Sequence, residues 1–398
     1  MGIRLGFHYH GPARQDSNGL IHVSSIVGVF IDSLAELCDE IICFLHSPLA
    51  SEEFILDHTI RHSNVKLVDI GPHTSIPRRL LNVRQATNAI KQWRGQLDIL
   101  LLRGPSPLLP AMAKAAGDTP IALLLVGDYL AEARNTFRPN PRRIAQWLLL
   151  QSNRIGQERV IRKHLTFVNS RQLYDDLKDV AIHIIEIRTT TLTATDMFDR
   201  DDTCQQVPYH VLYTGRITSS KGVPDILDAV LQLREQGIDI VLDLVGWAET
   251  GDDILQNLAD TAAAHHASQA LVYHGLKTVG EDLFAYYKQA DVYVIASRSS
   301  FEGFPRTIWE ALAHSVPVLA TPVGSIPLFL QDEENVLLFE PNNPTALAKQ
   351  LKRLLDDSAL RRKLIAQGRD AVRGNTLENR AQELVNHLEQ WCSMRAQP

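Results

Sequence analysis

Short apolar runs alternate with longer amphipathic ones along the first half of the chain. Residues 3–8 read as a strand, Asn18 and Gly19 belong to the loop that follows, and Ile26, Val27, Phe30, Leu34 and Leu37 then recur at helical spacing. Further strands are predicted at 41–45, 65–70, 99–102, 121–126 and 165–168. Their near-continuous apolar character suits strands covered on both faces, hence a parallel sheet with helices either side.

The pattern then breaks. Residues 187–207 are rich in Thr and Asp and have no clear period, which predicts an interdomain linker. Beyond it strands are predicted at 211–214, 238–245, 271–274, 291–297 and 316–321. Helices fall between them at about 223–236, 252–264, 280–289 and 305–314. Two α/β units follow from this, residues 1–200 and 206–375, with ligand expected where strand C-termini face a cleft. A last helix within 376–398 has Leu384, Val385, Leu388 and Trp391 on one face, and a return to the first domain is open to it.

Composition narrows the functional classes. A length of 398 residues suits two or three domains, and 45% apolar with 22% charged residues is the balance of a folded globular protein. The net charge of −6 lends no support to a nucleic-acid partner. Cys38, Cys43, Cys204 and Cys392 are scattered without a CxxC pair, which argues against a disulfide framework or a zinc site. No apolar run approaches the roughly 20 residues of a membrane span, and the first residues lack a secretory leader, so the expectation is cytoplasmic. Residues 141–164 are basic and amphipathic, and Arg78 and Arg79 stand beside Leu80 and Leu81. A packed helix with a solvated basic face and peripheral contact with an anionic membrane are the two readings of these features.

The most informative stretch is ASRSSFEGFPRTIWEALAHSVPVLATPVG, residues 296–324. It predicts a strand, a loop beginning at Glu302, a helix from about Pro305, and a second strand. Gly303, Phe304 and Pro305 let the backbone approach a ligand closely, and the N–H groups at Arg306 and Thr307 open a helix N-terminus, a site for an anionic diphosphate. Arg306 has a second reading as an exposed helix-start arginine. Glu310, one turn in, can accept hydrogen bonds from vicinal hydroxyls such as those of a ribose, and Glu302 can do so for a sugar ring. The bland alternative for this acidic pair is two solvated helix-end carboxylates.

Seven residues separate Glu302 from Glu310, inside S-x4-E-G-F-P-x4-E-A-x4-V-P-V-x-A-T. This pattern resembles the donor-site motif of the family 4 retaining glycosyltransferases, over roughly residues 206–356 and more weakly before. The resemblance implies a GT-B fold, two Rossmann-like domains facing a central cleft. It also implies a nucleoside-diphosphate sugar donor, UDP- or GDP-linked, metal-independent chemistry without a cofactor, and a hydroxyl acceptor on a glycan, a glycolipid or a small molecule. Tyr213-Thr214-Gly215-Arg216 through Lys221-Gly222 is similar to the family's G-R-x4-K-G, which implies that Arg216 and Lys221 neutralise the donor diphosphate. Fixed cations there would stabilise the charge gained by the leaving group. Gly246 matches the strand end lining the donor site, and Leu276 stands where an apolar side chain meets the nucleobase. His274 reads better as a strand-end core histidine.

The first half departs further from the family. Gly19 is the candidate for close backbone approach, but the usual glycine pair is absent. Gly127-Asp128 replaces a histidine that contacts the donor sugar, so Asp128 is expected either to bind the sugar or acceptor hydroxyl or to cap a turn. His8 and His10 are open to structural and site roles alike, and Arg103 to an anionic acceptor group. His314-Ser315 stands where a glycine usually caps the helix. Two rivals stand beside this reading: a non-hydrolysing nucleotide-sugar epimerase, which explains the diphosphate site but not the acidic motif, and a binding protein without catalysis, which rests on Gly127-Asp128 and the missing glycines.

Overall fold

A computed structural model of the chain describes residues 2–126, 151, 153–188, 190–249, 251–298 and 304–396. The chain forms two compact units, Met1–Thr189 with Glu378–Pro398, and Thr190–Leu377. Each is an α/β unit around a parallel sheet.

In the first unit the parallel strands run in the order Val65–Pro72, Glu40–Ser47, Arg4–Gln15, Ile99–Gly104, Ile121–Leu125, Leu165–Val168, His183–Glu186. The order reverses beside the first strand, the doubly wound arrangement whose switch point receives ligands. Side chains on both sheet faces are buried, with Leu5, Phe7, Ile41, Leu101 and Phe167 on one core and Ile42, Phe44, Leu100, Leu102 and Leu123 on the other. This is why these strands read as unbroken apolar runs.

The loop expected after residue 8 is instead strand. Arg4–Gln15 stays extended past a register shift between His8 and Pro12, then pairs antiparallel with Ile21–Val23, which pairs with His58–Thr59. Gly19 sits in the tight turn between them at φ +84°, where Gln15 donates to its carbonyl at 2.9 Å and Asp16 binds the neighbouring amides of Asn18 and Leu20. The turn's left-handed backbone requires a residue such as glycine at this position.

Helix Leu377–Ala396 completes the first unit. Ala381, Leu384, Val385, Leu388 and Trp391 are buried in its core, and the Trp391 indole donates to the Ile121 carbonyl at 3.0 Å.

The second unit orders its parallel strands Leu271–Gly275, Ile240–Trp247, Tyr209–Arg216, Val292–Ile295, Val318–Ala320, Leu337–Leu338, again reversing beside its first strand. Helices Val223–Glu235 and Pro344–Asp356 cover one face, and Glu281–Gln289 with Arg306–Ala313 the other.

The Thr- and Asp-rich stretch is not a free linker. From Thr190 onward it belongs to the second unit. Arg200 donates to the carbonyls of Tyr287, Lys288 and Ala290 at 3.2, 3.0 and 2.5 Å, satisfying the C-terminal end of helix Glu281–Gln289. Asp202 holds the buried Arg361 at 2.7 Å, and the Phe198 amide donates to the Ala313 carbonyl at 2.9 Å. Polar residues are present here because they bind backbone ends and a buried guanidinium.

Of the basic stretch 141–164, residues 141–150 and 152 lie outside the described residues. In the remainder Arg154 pairs with Glu158 at 2.9 Å, and Val160 and Ile161 are buried in the core. Among the described residues no helix is long and apolar enough to cross a membrane.

Candidate functional site

In the second unit the strand order reverses between Tyr209–Arg216 and Val292–Ile295, so the loops leaving these two strands flank the switch point. The Tyr213 hydroxyl donates to the Arg216 carbonyl at 2.7 Å, fixing the strand's exit. Gly215 lies in register with Gly246, at φ +130° and +145°. A Cβ on Gly246 would fall on the Gly215 carbonyl, so only glycine lets the two strand ends approach this closely.

The next loop makes one turn, Ser219–Lys221, and Gly222 at φ +68° opens helix Val223–Glu235. A Cβ there would strike the Ala296 carbonyl on the neighbouring strand exit. That exit is tied back as well. The Arg298 amide donates to the Ser220 carbonyl at 2.9 Å, and its guanidinium grips the Asp225 carboxylate at 2.6 and 3.1 Å. Lys221 is therefore carried on a loop stitched to the segment that leads into the acidic motif. Arg216 meets Glu249 at 3.0 Å, with both side chains well exposed. Such a pair contributes roughly 0–1 kcal/mol, so Arg216 can exchange this partner for a ligand at little cost.

Helix Arg306–Ala313 starts one residue later than its proline suggests. Pro305 is the N-cap in extended conformation, and among the described residues no side chain caps this terminus. Its first amides are thus presented without an internal acceptor. The Phe304 ring stacks on Trp309 at 4.3 Å and meets Phe329 at 5.3 Å, which anchors the loop's end to the helix.

Glu310 is 5% exposed, which removes the solvated-carboxylate reading for this residue. Tyr287 donates to its Oε2 at 2.8 Å, and the Thr214 hydroxyl lies 2.6 Å from the Tyr287 oxygen. The Tyr287 proton is committed to the carboxylate, so Thr214 is the donor in the second bond. Tyr293 donates to the Thr307 Oγ1 at 2.6 Å beside this chain. Burial pushes the Glu310 carboxyl above its ordinary range, against the pull of the Tyr287 bond and the Arg306 charge. Burial also drives the Tyr287 phenol well up, so it remains a donor. The His314 ring stacks on Tyr287 with centroids 5.5 Å apart, and its Nδ1–H donates to the Glu310 carbonyl at 2.7 Å.

The structure therefore brings Arg216, Lys221, Gly215, Gly246, Thr307 and Glu310 to one end of one sheet. Leu276 is 66% exposed just past Leu271–Gly275, at the same strand ends. His274 binds Asp243 at 2.7 Å and packs on Tyr286, a structural role. Glu302, Gly303 and Asp128 lie outside the described residues. Among the described residues no group of three His, Cys, Asp or Glu is placed to hold a metal ion.

Thr214, Tyr287, Tyr293 and Arg298 escaped the sequence reading. Both tyrosines sit at apolar positions of their elements, and their hydroxyls matter only once Glu310 is known to be buried. A threonine directly before Gly215-Arg216 was the available signal.

The sequence model of the family Glycosyl transferases group 1 matches residues 200–371. A D-inositol 3-phosphate glycosyltransferase of Paenarthrobacter aurescens is 30% identical over 152 residues, covering 37% of this chain and 36% of its own. A glycosyltransferase of Methanocaldococcus jannaschii is 29% identical over 180 residues, covering 44% and 43%. The chain thus spans about two fifths of the length of the curated relatives it matches. Sucrose-phosphate synthase from Thermosynechococcus elongatus superposes with a TM-score of 0.70 at 18% identity, over 98% of this chain and 100% of that one. HepE of Anabaena does so with 0.72 at 16%, over the same shares. These likenesses are of fold, and the fold is GT-B.

Proposed function

We propose, with the group 1 glycosyltransferase domain at residues 200–371 as the premise, that this protein transfers a hexosyl unit from a nucleoside-diphosphate sugar to a hydroxyl acceptor with retention, as in family 4. One observation carries the reading: at the switch point of the second unit a helix N-terminus, a buried carboxylate and two cationic loop positions stand at adjoining strand ends. Amides and cations there suit a diphosphate, and a dehydrated carboxylate suits a diol. The comparisons favour neither an epimerase nor an inactive binding protein. The structural neighbour from Anabaena was crystallised with UDP and with UDP-glucose, which makes UDP the first nucleotide to test.

In this reading Arg216, Lys221 and the amides of Arg306 and Thr307 take up the charge of the departing diphosphate. Glu310 holds the ribose, its orientation set by Tyr287. Glu302 orients the sugar, and the leaving phosphate deprotonates the acceptor on the same face. The donor is bound without a metal.

The decisive experiment incubates the protein with UDP-, GDP- and ADP-sugars, identifies the released nucleotide by chromatography, and assigns the product anomer by NMR. One nucleotide is expected to dominate. Removing a fixed charge donor from such a site costs about 10²–10³ in rate, so Lys221→Ala and Arg216→Ala should each lose transfer on that scale while keeping their melting temperature. Absence of calorimetric affinity for all three nucleotides, or full activity in Lys221→Ala, overturns the assignment.

A further inference from the structure

The first unit has a second set of chemistry-bearing residues at its own switch point, which the reading above leaves unused. His10 extends from Arg4–Gln15, His46 from Glu40–Ser47, His73 follows Val65–Pro72, Arg79 lies in the short helix Ile76–Leu81, and Arg103 ends Ile99–Gly104. Four neighbouring strands thus deliver three imidazoles and two guanidiniums to one end of one sheet. The rings of His46 and His73 are 5.7 Å apart, Tyr9 and His10 are 4.4 Å apart, and the Arg103 guanidinium lies 4.5 Å over Tyr9.

The hydrogen bonds sort these residues. His8 is accounted for by the fold: its Nδ1–H donates to the Phe44 carbonyl at 3.0 Å and its Nε2 accepts from Ser106 at 3.1 Å. His73 is held by Glu52 at 2.6 Å. His46 is different. It is 2% exposed, and its Nδ1–H must donate to the Gly71 carbonyl at 2.9 Å, because that oxygen can only accept. Among the described residues its buried Nε2 has no partner, and neither has the buried Nδ1 of His10. Buried imidazole nitrogens left in this way, beside two arginines, are costly unless something completes them.

We propose that these strand ends form an oxyanion site for a phosphate group, with Arg79, Arg103, His10 and His46 as its binding groups. The inference rests on the glycosyltransferase reading only for its meaning there, namely that the acceptor carries a phosphomonoester. The charged groups around the imidazoles are Arg79 and Arg103 on the positive side and Glu52 and Asp69 on the negative side, with His8 and His73 as the neighbouring titratable rings. Glu52 is taken by His73, and Asp69 by the amides of Ser47 and Gly71. Burial holds His10 and His46 neutral, with pKa pushed down to about 4 and the arginines adding to the effect. A neutral His46 offers only a lone pair at Nε2, which repels an anion. Binding must therefore bring a proton to that nitrogen, and affinity rises as pH falls.

Calorimetry on the full chain with sulfate, whose charge is constant between pH 6 and 8, tests this directly. One saturable site is expected, with proton uptake visible as a dependence of the heat on buffer ionisation, and tightening by up to about tenfold per pH unit for each proton bound. His46→Asn should lose affinity at least tenfold and flatten the pH dependence. If that variant unfolds, the half-buried His10→Gln and Arg103→Gln carry the test. Glycerol 3-phosphate and vesicles bearing phosphatidic acid, titrated in parallel, distinguish a soluble ester from a lipid headgroup, and binding of either supports the site. No saturable binding of any of these at pH 6, or binding unchanged in both His10→Gln and Arg103→Gln, overturns the proposal. So does sulfate binding abolished by Lys221→Ala, because that anion occupies the second unit. UDP affinity measured on the same samples reports separately on the donor site, so the two readings can fail independently.

Discussion

A carboxylate excluded from water, as Glu310 is, destabilises the fold until a partner reaches it. Its pKa is raised in the folded state, so folding favours the protonated form. The penalty is absent below the ordinary glutamate range and grows as pH rises from there through the folded value, then stays constant. Glu310→Gln keeps an acceptor for Tyr287 and removes the charge. Its melting temperature relative to wild type should therefore be higher at pH 8 than at pH 4, while donor affinity falls about tenfold or more with the loss of a charge-assisted bond. Tyr287→Phe separates position from charge. Without that phenol the Glu310 pKa climbs further, and the acid limb of the pH–activity profile should move to higher pH. An unmoved limb would show that the hydroxyl has no hold on the carboxylate. Ser315 illustrates a different local compromise: it takes the left-handed backbone of the missing glycine at φ +56°, and its hydroxyl donates to the Phe198 carbonyl at 2.8 Å.

Among the elements, the buried Asp202–Arg361 pair joins the segment after Thr190 to helix Ser358–Arg373. Arg361 also donates to the carbonyls of Leu354 and Leu355 at 2.6 and 2.9 Å, closing helix Pro344–Asp356. Asp202→Ala leaves this guanidinium without its counter-charge and should cost about 3–5 kcal/mol in denaturant unfolding. A loss under 1 kcal/mol would return the segment to the status of a linker. The strands were legible in the sequence because burial on both faces leaves an unbroken apolar run, and residues 165–168 emerged with their bounds intact. The extended ribbon after His8 was not, since histidine, glycine and proline carry no period-two signal. The acidic motif announced the second unit's site, whereas the hydroxyls of Thr214 and Tyr287 were hidden inside apolar periodicity. The cluster of histidines and arginines in the first unit was illegible for a further reason: its members come from four separate strands and the helix after one of them, and only the sheet order brings them together.

For the molecule as a whole, the same topology occurs twice, with polar chemistry gathered beside the first strand in both units. The first unit is the one that depends on distant sequence. Trp391 is 4% exposed in its core, and Trp391→Ala should cost about 3–5 kcal/mol. In proteolysis or hydrogen exchange that loss should register in peptides from the first unit, including 121–125, and leave UDP affinity unchanged. Protection lost equally from both units would contradict the division of the core described above.

The return of helix Leu377–Ala396 to the first unit also sets an order of events at the ribosome. The second unit is one continuous stretch and can finish its core as soon as it emerges. The first unit, although synthesised earlier, must wait with Leu5, Phe167 and Ile41 only partly covered until residues 381–391 arrive. The nascent chain therefore matures back to front, and its earliest-made half is the one most in need of a chaperone.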